Sequence, residues 1–149
     1  MLTLRFPRAV GAIFASRVGQ SSRTRVTTVY RSNYNPVLEH GIHLDTVIWG
    51  RTNFRPHSVI QGTSQAALFG EKYDYVALAT KAFSNTRHSI SELLRPVVGK
   101  GTTLISIQNG LDVEKPLQDA FPQNPVLSAI CYVNCIVSDL VPSGPQTGI

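Results

Sequence analysis

Arg31, Lys81 and Asn109 each follow a run of strand-forming residues: Arg25–Tyr30, Asp74–Thr80 and Thr102–Gln108. A guanidinium forks onto a phosphate through paired hydrogen bonds. An ammonium neutralises a carboxylate or a developing alkoxide, and an amide donates and accepts at once. If the three runs are strands of one parallel sheet, these groups converge outside its carboxyl edge, where open α/β sheets bind ligands. The set suits an anionic cofactor and a small polar substrate. Each residue also has a plainer reading, because loop cations are commonly solvated and Asn-Gly is commonly only a turn.

The elements that must position these groups are readable along the chain. Val10–Val18 reads as a helix whose small residues at 11, 12, 15 and 16 allow close packing on a sheet. Gly19–Ser22 stops it, and the strand 25–30 follows. A short helix or turn around Pro36 is broken by Gly41. Between 41 and 61 the pattern suggests a small antiparallel meander with a turn at 50–53, and 62–72 a loop with one helical turn. The run 74–80 is almost continuously apolar, as in strands buried on both faces. A helix over 86–94, a strand over 102–107, a helix opened by Asp112 and running through Ala120, and a strand over 126–133 complete a βαβαβ run. The fold class is therefore α/β, a Rossmann-like doubly wound and mostly parallel sheet.

Composition bounds the function. The 149 residues suffice for one domain with a real core, and 42% hydrophobic with 15% charged content fits a globular chain. No run reaches the roughly 20 apolar residues of a membrane span, so no membrane partner is assigned. The net charge of +5 is concentrated in residues 1–38, which hold six arginines and no acid. The remaining eight Lys/Arg face nine Asp/Glu. That distribution gives no general nucleic-acid face. An Arg-rich, acid-free start also has the composition of a mitochondrial transit peptide. Cys131 and Cys135 lie in a stretch that reads as a strand, which would hold them about 13 Å apart, too far for a disulfide. They read as buried thiols of a reducing compartment, cytoplasmic by preference and mitochondrial as the alternative. His40 and His43 have no partners at zinc-ligand spacing, so no metal is assigned.

Three segments, Ala9–Arg17, Tyr73–Ala82 and Ser106–Leu111, together resemble the N-terminal domain of ketopantoate reductase (2-dehydropantoate 2-reductase). The resemblance covers almost the whole chain. It implies an NADP-binding domain over residues 1–149 and an NADPH-dependent reduction of a small 2-keto acid in the pantothenate pathway. It implies cofactor-binding roles for Gly11, Arg31, Lys81 and Asn109, with Arg31 on the 2′-phosphate. Lys81 would also be catalytic, beside the nicotinamide and substrate. The family's C-terminal helical domain, with its general acid, is expected to be absent from this chain.

The chain departs from the dinucleotide pattern at one place. G-x-G-x-x-G permits a tight turn, close approach of backbone to pyrophosphate, and helix–strand packing. The matching stretch is Phe6-Pro7-Arg8-Ala9-Val10-Gly11, which keeps only the third glycine, after a shortened first strand over 2–5. The fold is therefore expected to be incomplete at its glycine loop, with weak or no activity of the chain alone. The alternative function is a non-catalytic module that senses a dinucleotide or binds a protein.

Overall fold

In the computed structural model, residues 2–5, 9–68, 70, 72–80 and 90–135 are described. Six strands form one sheet in the order β5-β2-β1-β6-β7-β8, and every neighbouring pair is parallel. They are β1 (Leu2–Arg5), β2 (Val26–Val29), β5 (Ser58–Ile60), β6 (Tyr75–Leu78), β7 (Thr103–Ser106) and β8 (Val126–Ser128). This is the doubly wound order, which reverses direction between β1 and β6 and opens a crevice there. The central strands suit such a place. All four residues of β2 are buried, as are Val76, Ala77 and Leu78 of β6. β-branched and aliphatic side chains fit a pleated surface covered on both faces.

Helix α1 (Ala9–Val18) connects β1 to β2 and buries Gly11, Ala12, Ala15 and Ser16. These small side chains let the helix approach the sheet closely. The Ser16 hydroxyl donates to the Ile13 carbonyl at 2.8 Å, which satisfies it inside the core. Helices α3 (Thr63–Leu68), α4 (Ile90–Leu94) and α5 (Lys115–Ala120) add Ala66, Leu94 and Leu117 to the main core. A smaller cluster of Ala12, Tyr30, Val37 and Ile42 joins α1 to α2 (Tyr34–His40) and to an antiparallel hairpin, β3 (Ile42–Thr46) and β4 (Gly50–Phe54). The turn from α2 into β3 requires Gly41. Its φ is +77°, and a Cβ there would meet Asn53 Oδ1 at 2.6 Å and the Phe54 carbonyl at 2.9 Å.

The amino ends of β6, β7 and β8 are tied by side-chain bonds. The Thr102 hydroxyl donates to the Tyr73 carbonyl at 2.7 Å and accepts the Gly99 N–H at 2.9 Å. Asn124 Nδ2 donates to the carbonyls of Gly99 and Thr102 at 2.7 and 2.8 Å.

Several boundaries differ from those the sequence suggests. Only β3 and β4 form the antiparallel unit; β5 instead joins the parallel sheet beside β2. The hairpin turns at 47–49, and Gly50 already belongs to β4. Asp112 does not open a helix, because its φ is +57° and α5 starts at Lys115. β8 ends at Ser128, and 129–135 run without regular structure. Cys131 and Cys135 are therefore half-buried on a coil rather than buried in a strand. Burial, and then the neighbouring Cys131, push the Cys135 thiol above its usual range. The suggested helix start at 86–89 lies outside the described residues. The described residues of the arginine-rich start belong to the fold: β1 is the third strand of the sheet, β2 pairs with it, and α1 connects the two.

Candidate functional site

Strand register sets the level of the site. Ile60, Val29, Arg5, Leu78, Ser106 and Ser128 are aligned across the six strands. The residues just beyond this line form the carboxyl rim. The ladder continues one step into it: Tyr30 N–H donates to the Ile60 carbonyl at 2.9 Å, and Ala129 N–H to the Ser106 carbonyl at 2.8 Å. The backbone under the rim is thus held by hydrogen bonds.

Arg31 is exposed on the rim immediately after β2. Its neighbour Tyr30 is buried, and burial pushes the phenol pKa up to about 12. The chain is therefore anchored one residue before the cation. Asn109 is exposed on the rim after β7. Gly110 next to it has φ +137°, and a Cβ there would meet Val113 Cγ1 at 2.7 Å, so the turn that displays Asn109 needs glycine. Three strand spacings separate β2 from β7, or about 14 Å. Arg31 and Asn109 thus flank the β1–β6 reversal and do not touch. Gly11 is buried as the third residue of α1, the helix that follows β1. Lys81 and the loop Phe6-Pro7-Arg8 lie outside the described residues.

One further residue shapes the rim. Gln108, half-buried, donates through Nε2 to the carbonyl and hydroxyl of Thr80, both at 3.0 Å, and accepts from the Ser106 hydroxyl at 3.3 Å. This amide fastens the end of β7 to the end of β6, immediately before Lys81. The signal in the sequence was a glutamine beside Asn109; its partner lies 28 positions away, so spacing alone could not show the bond.

The family model for "Ketopantoate reductase PanE/ApbA" matches residues 8–140. The chain belongs to the ketopantoate reductase family. Members of this family use NADPH and act on a small keto acid. The chain is 30% identical over 124 residues to the meiotically up-regulated gene 72 protein of Schizosaccharomyces pombe, a match that spans 82% of this chain and 21% of that protein. Crystal structures of 2-dehydropantoate 2-reductases share the fold. That from Methylococcus capsulatus has 28% identity and a TM-score of 0.75, over 85% of this chain and 39% of the reductase. That from Geobacter metallireducens has 21% identity and a TM-score of 0.77, over 93% and 44%. The chain thus spans less than half the length of each of these relatives.

In open α/β sheets a dinucleotide lies at the point where the strand order reverses, which here is between β1 and β6. A buried glycine near the start of α1, Gly11, and an exposed arginine just beyond β2, Arg31, fit a dinucleotide placed there. Phe6 and Arg8, in place of two glycines, do not fit close approach of the backbone to a pyrophosphate.

Proposed function

We propose that residues 1–149 form the NADP-binding domain of a ketopantoate reductase-like oxidoreductase that reduces a small 2-keto acid to a 2-hydroxy acid. The observation that carries this reading is the β5-β2-β1-β6-β7-β8 order with Arg31 and Asn109 on either side of its reversal. Arg31 takes the 2′-phosphate by a charge-assisted fork. The amide of Asn109 orients the nicotinamide end and the substrate. Lys81 follows Thr80, which Gln108 holds, and its ammonium neutralises the substrate's negative charge next to the reacting carbonyl. When bound, the reduced nicotinamide supplies the hydride. The proton for the forming alkoxide is assigned to a C-terminal helical domain, outside these residues. A cytoplasmic location and a place in pantothenate synthesis belong to this reading.

A second reading, a dinucleotide sensor without turnover, draws support from Phe6, Pro7 and Arg8, which reduce backbone access to phosphate. Fluorescence titration of the purified chain with NADPH tests the primary reading, followed by an assay after joining it to a reductase helical domain. Saturable binding plus ketopantoate-dependent oxidation supports the oxidoreductase. Binding without turnover in the joined protein supports the sensor, and absence of binding contradicts both.

A further inference from the structure

The opposite edge of the sheet has a different character. In a parallel sheet every strand starts on the same side, so the segments that lead into the strands share one edge. Arg17 lies in the last turn of α1, and Arg23 and Arg25 lie between that helix and β2. Lys72 precedes β6, Arg95 follows α4, and Lys100 precedes β7. All six side chains are exposed. The acids described on this edge are Asp74, before β6, Glu92, three residues before Arg95, and Asp119, whose carboxylate lies 3.4 Å from Lys115 Nζ. With Asp119 paired to Lys115, the six exposed cations face Asp74 and Glu92, so the described edge carries a net positive charge.

The β3–β4 hairpin leans over this edge. The Arg17 guanidinium lies 4.3 Å from the centre of the Trp49 ring. Phe54 packs where Gly19 has no side chain, since a Cβ on Gly19 would meet its ring at 2.4 Å. The tip is held in shape by Thr46, whose hydroxyl donates to the Gly50 carbonyl at 3.2 Å and accepts the Trp49 N–H at 3.0 Å. Yet the tip itself is apolar and open to water: Val47 is 105% exposed, Ile48 78% and Trp49 42%. A folded hairpin that displays adjacent aliphatic side chains beside a ring pinned by a cation is a preformed apolar wedge.

We propose that the amino edge of the sheet, with the Val47-Ile48-Trp49 tip, is a docking surface for an anionic lipid bilayer. The cations meet anionic headgroups, while the tip enters the interfacial layer, where Trp is favoured and aliphatic side chains leave water. Three tip residues fall short of the roughly 800 Å² per partner that a stable dimer buries, which disfavours a second copy as occupant. A nucleic acid would use the cations but gain little from Val47 and Ile48. Peripheral attachment needs no spanning helix, and among the described residues no helix is long and apolar enough to cross a membrane. The surface lies away from the carboxyl rim, so this inference is independent of the cofactor reading.

Trp49 is the chain's single tryptophan and so reports on the tip directly. The test is co-sedimentation of the purified chain with phosphatidylcholine vesicles, with and without about 30 mol% phosphatidylserine, together with Trp49 emission and its quenching by brominated lipid. Partition should rise at least tenfold with phosphatidylserine and fall at least tenfold in about 0.5 M salt. Trp49 emission should shift to the blue and be quenched. Arg23→Glu with Arg25→Glu should lower partition at least tenfold. Val47→Asp with Ile48→Asp should abolish the blue shift and lower partition similarly, in protein whose circular dichroism is unchanged. Absence of both phosphatidylserine-dependent pelleting and bromolipid quenching in the unmodified chain overturns the proposal, whatever the variants do. Retention by duplex DNA that is indifferent to the tip substitutions, with no lipid quenching, overturns it in favour of nucleic acid.

Discussion

The two edges of this sheet are made by the same strands and differ in almost every physical respect. The carboxyl rim displays Arg31 and Asn109 at separated positions, and Gln108 bonds its neighbouring strand ends together. The amino edge is tied by Thr102 and Asn124 and carries a row of exposed cations with an apolar tip beside them. Parallel strands give a sheet two unlike edges: one where strands run out toward helix starts, and one where helices return. The first can hold a ligand in a crevice. The second is free to acquire surface properties that the chemistry does not constrain.

A change in the shared core should erase this contrast. Leu104 is wholly buried in β7, and Leu104→Ala should cost about 2–5 kcal/mol through lost burial and a cavity. Urea denaturation would then show ligand binding and edge properties lost together. Survival of either one in an unfolded variant would mean that the edges do not depend on a common sheet.

A change at the amino edge alone should separate the two. Asn124→Ala removes donors from the carbonyls of Gly99 and Thr102 and should destabilise the domain by roughly 1–3 kcal/mol. NADPH affinity at temperatures where the variant stays folded should change less than twofold. A larger change would show that the latch also sets the carboxyl rim.

Tyr30 sharpens the comparison through pH. Its phenol ionises at about 12 when folded, against 10.0 for a tyrosine side chain free in water. A raised folded pKa means that the contribution is complete below pH 10 and is lost as pH rises from 10 to 12. The unmodified domain should therefore lose roughly 2–3 kcal/mol as pH passes through that window, at up to about 1.4 kcal/mol for each pH unit. Tyr30→Phe should flatten this part of the stability profile, read by denaturant titration at several pH values. An identical slope in the variant would show that Tyr30 is not the group responsible.

The smallest effect is expected at Asn109. The side chain is exposed and buries little, so Asn109→Ala should alter stability by no more than about 0.5 kcal/mol. Thermal unfolding checks this, and a large loss would make Asn109 a structural residue.

Much of the parallel sheet was legible because its signals are local. The apolar run ending at Thr80, the β-branched residues of β2 and the small residues of α1 each point to one element without reference to the others. Gly41 and Pro36 likewise marked the short α2. What stayed hidden depends on partners distant in sequence. β5 is too short to declare its neighbour, and only pairing with β2 decides it. The coil after Ser128 looked like strand because Ile130, Tyr132 and Val133 suit one, yet these three and Asn134 are exposed. Arg31 and Asn109 were found from their places after strands, whereas the Gln108–Thr80 bond needed the fold. The cationic edge was hidden for the same reason. Its arginines and lysines are scattered from residue 17 to residue 100, and the sequence alone suggested neither a nucleic-acid nor a membrane surface.

The central claim is that the carboxyl rim holds NADPH with Arg31 on the 2′-phosphate. Titration of the unmodified chain and Arg31→Ala with NADPH and NADH tests it most directly. A charge-assisted contact is worth about 1.5–3 kcal/mol, so NADPH affinity should fall roughly tenfold to more than a hundredfold while NADH affinity stays within about twofold. Equal losses for both cofactors, or no loss for either, would contradict the assignment of Arg31 to the phosphate.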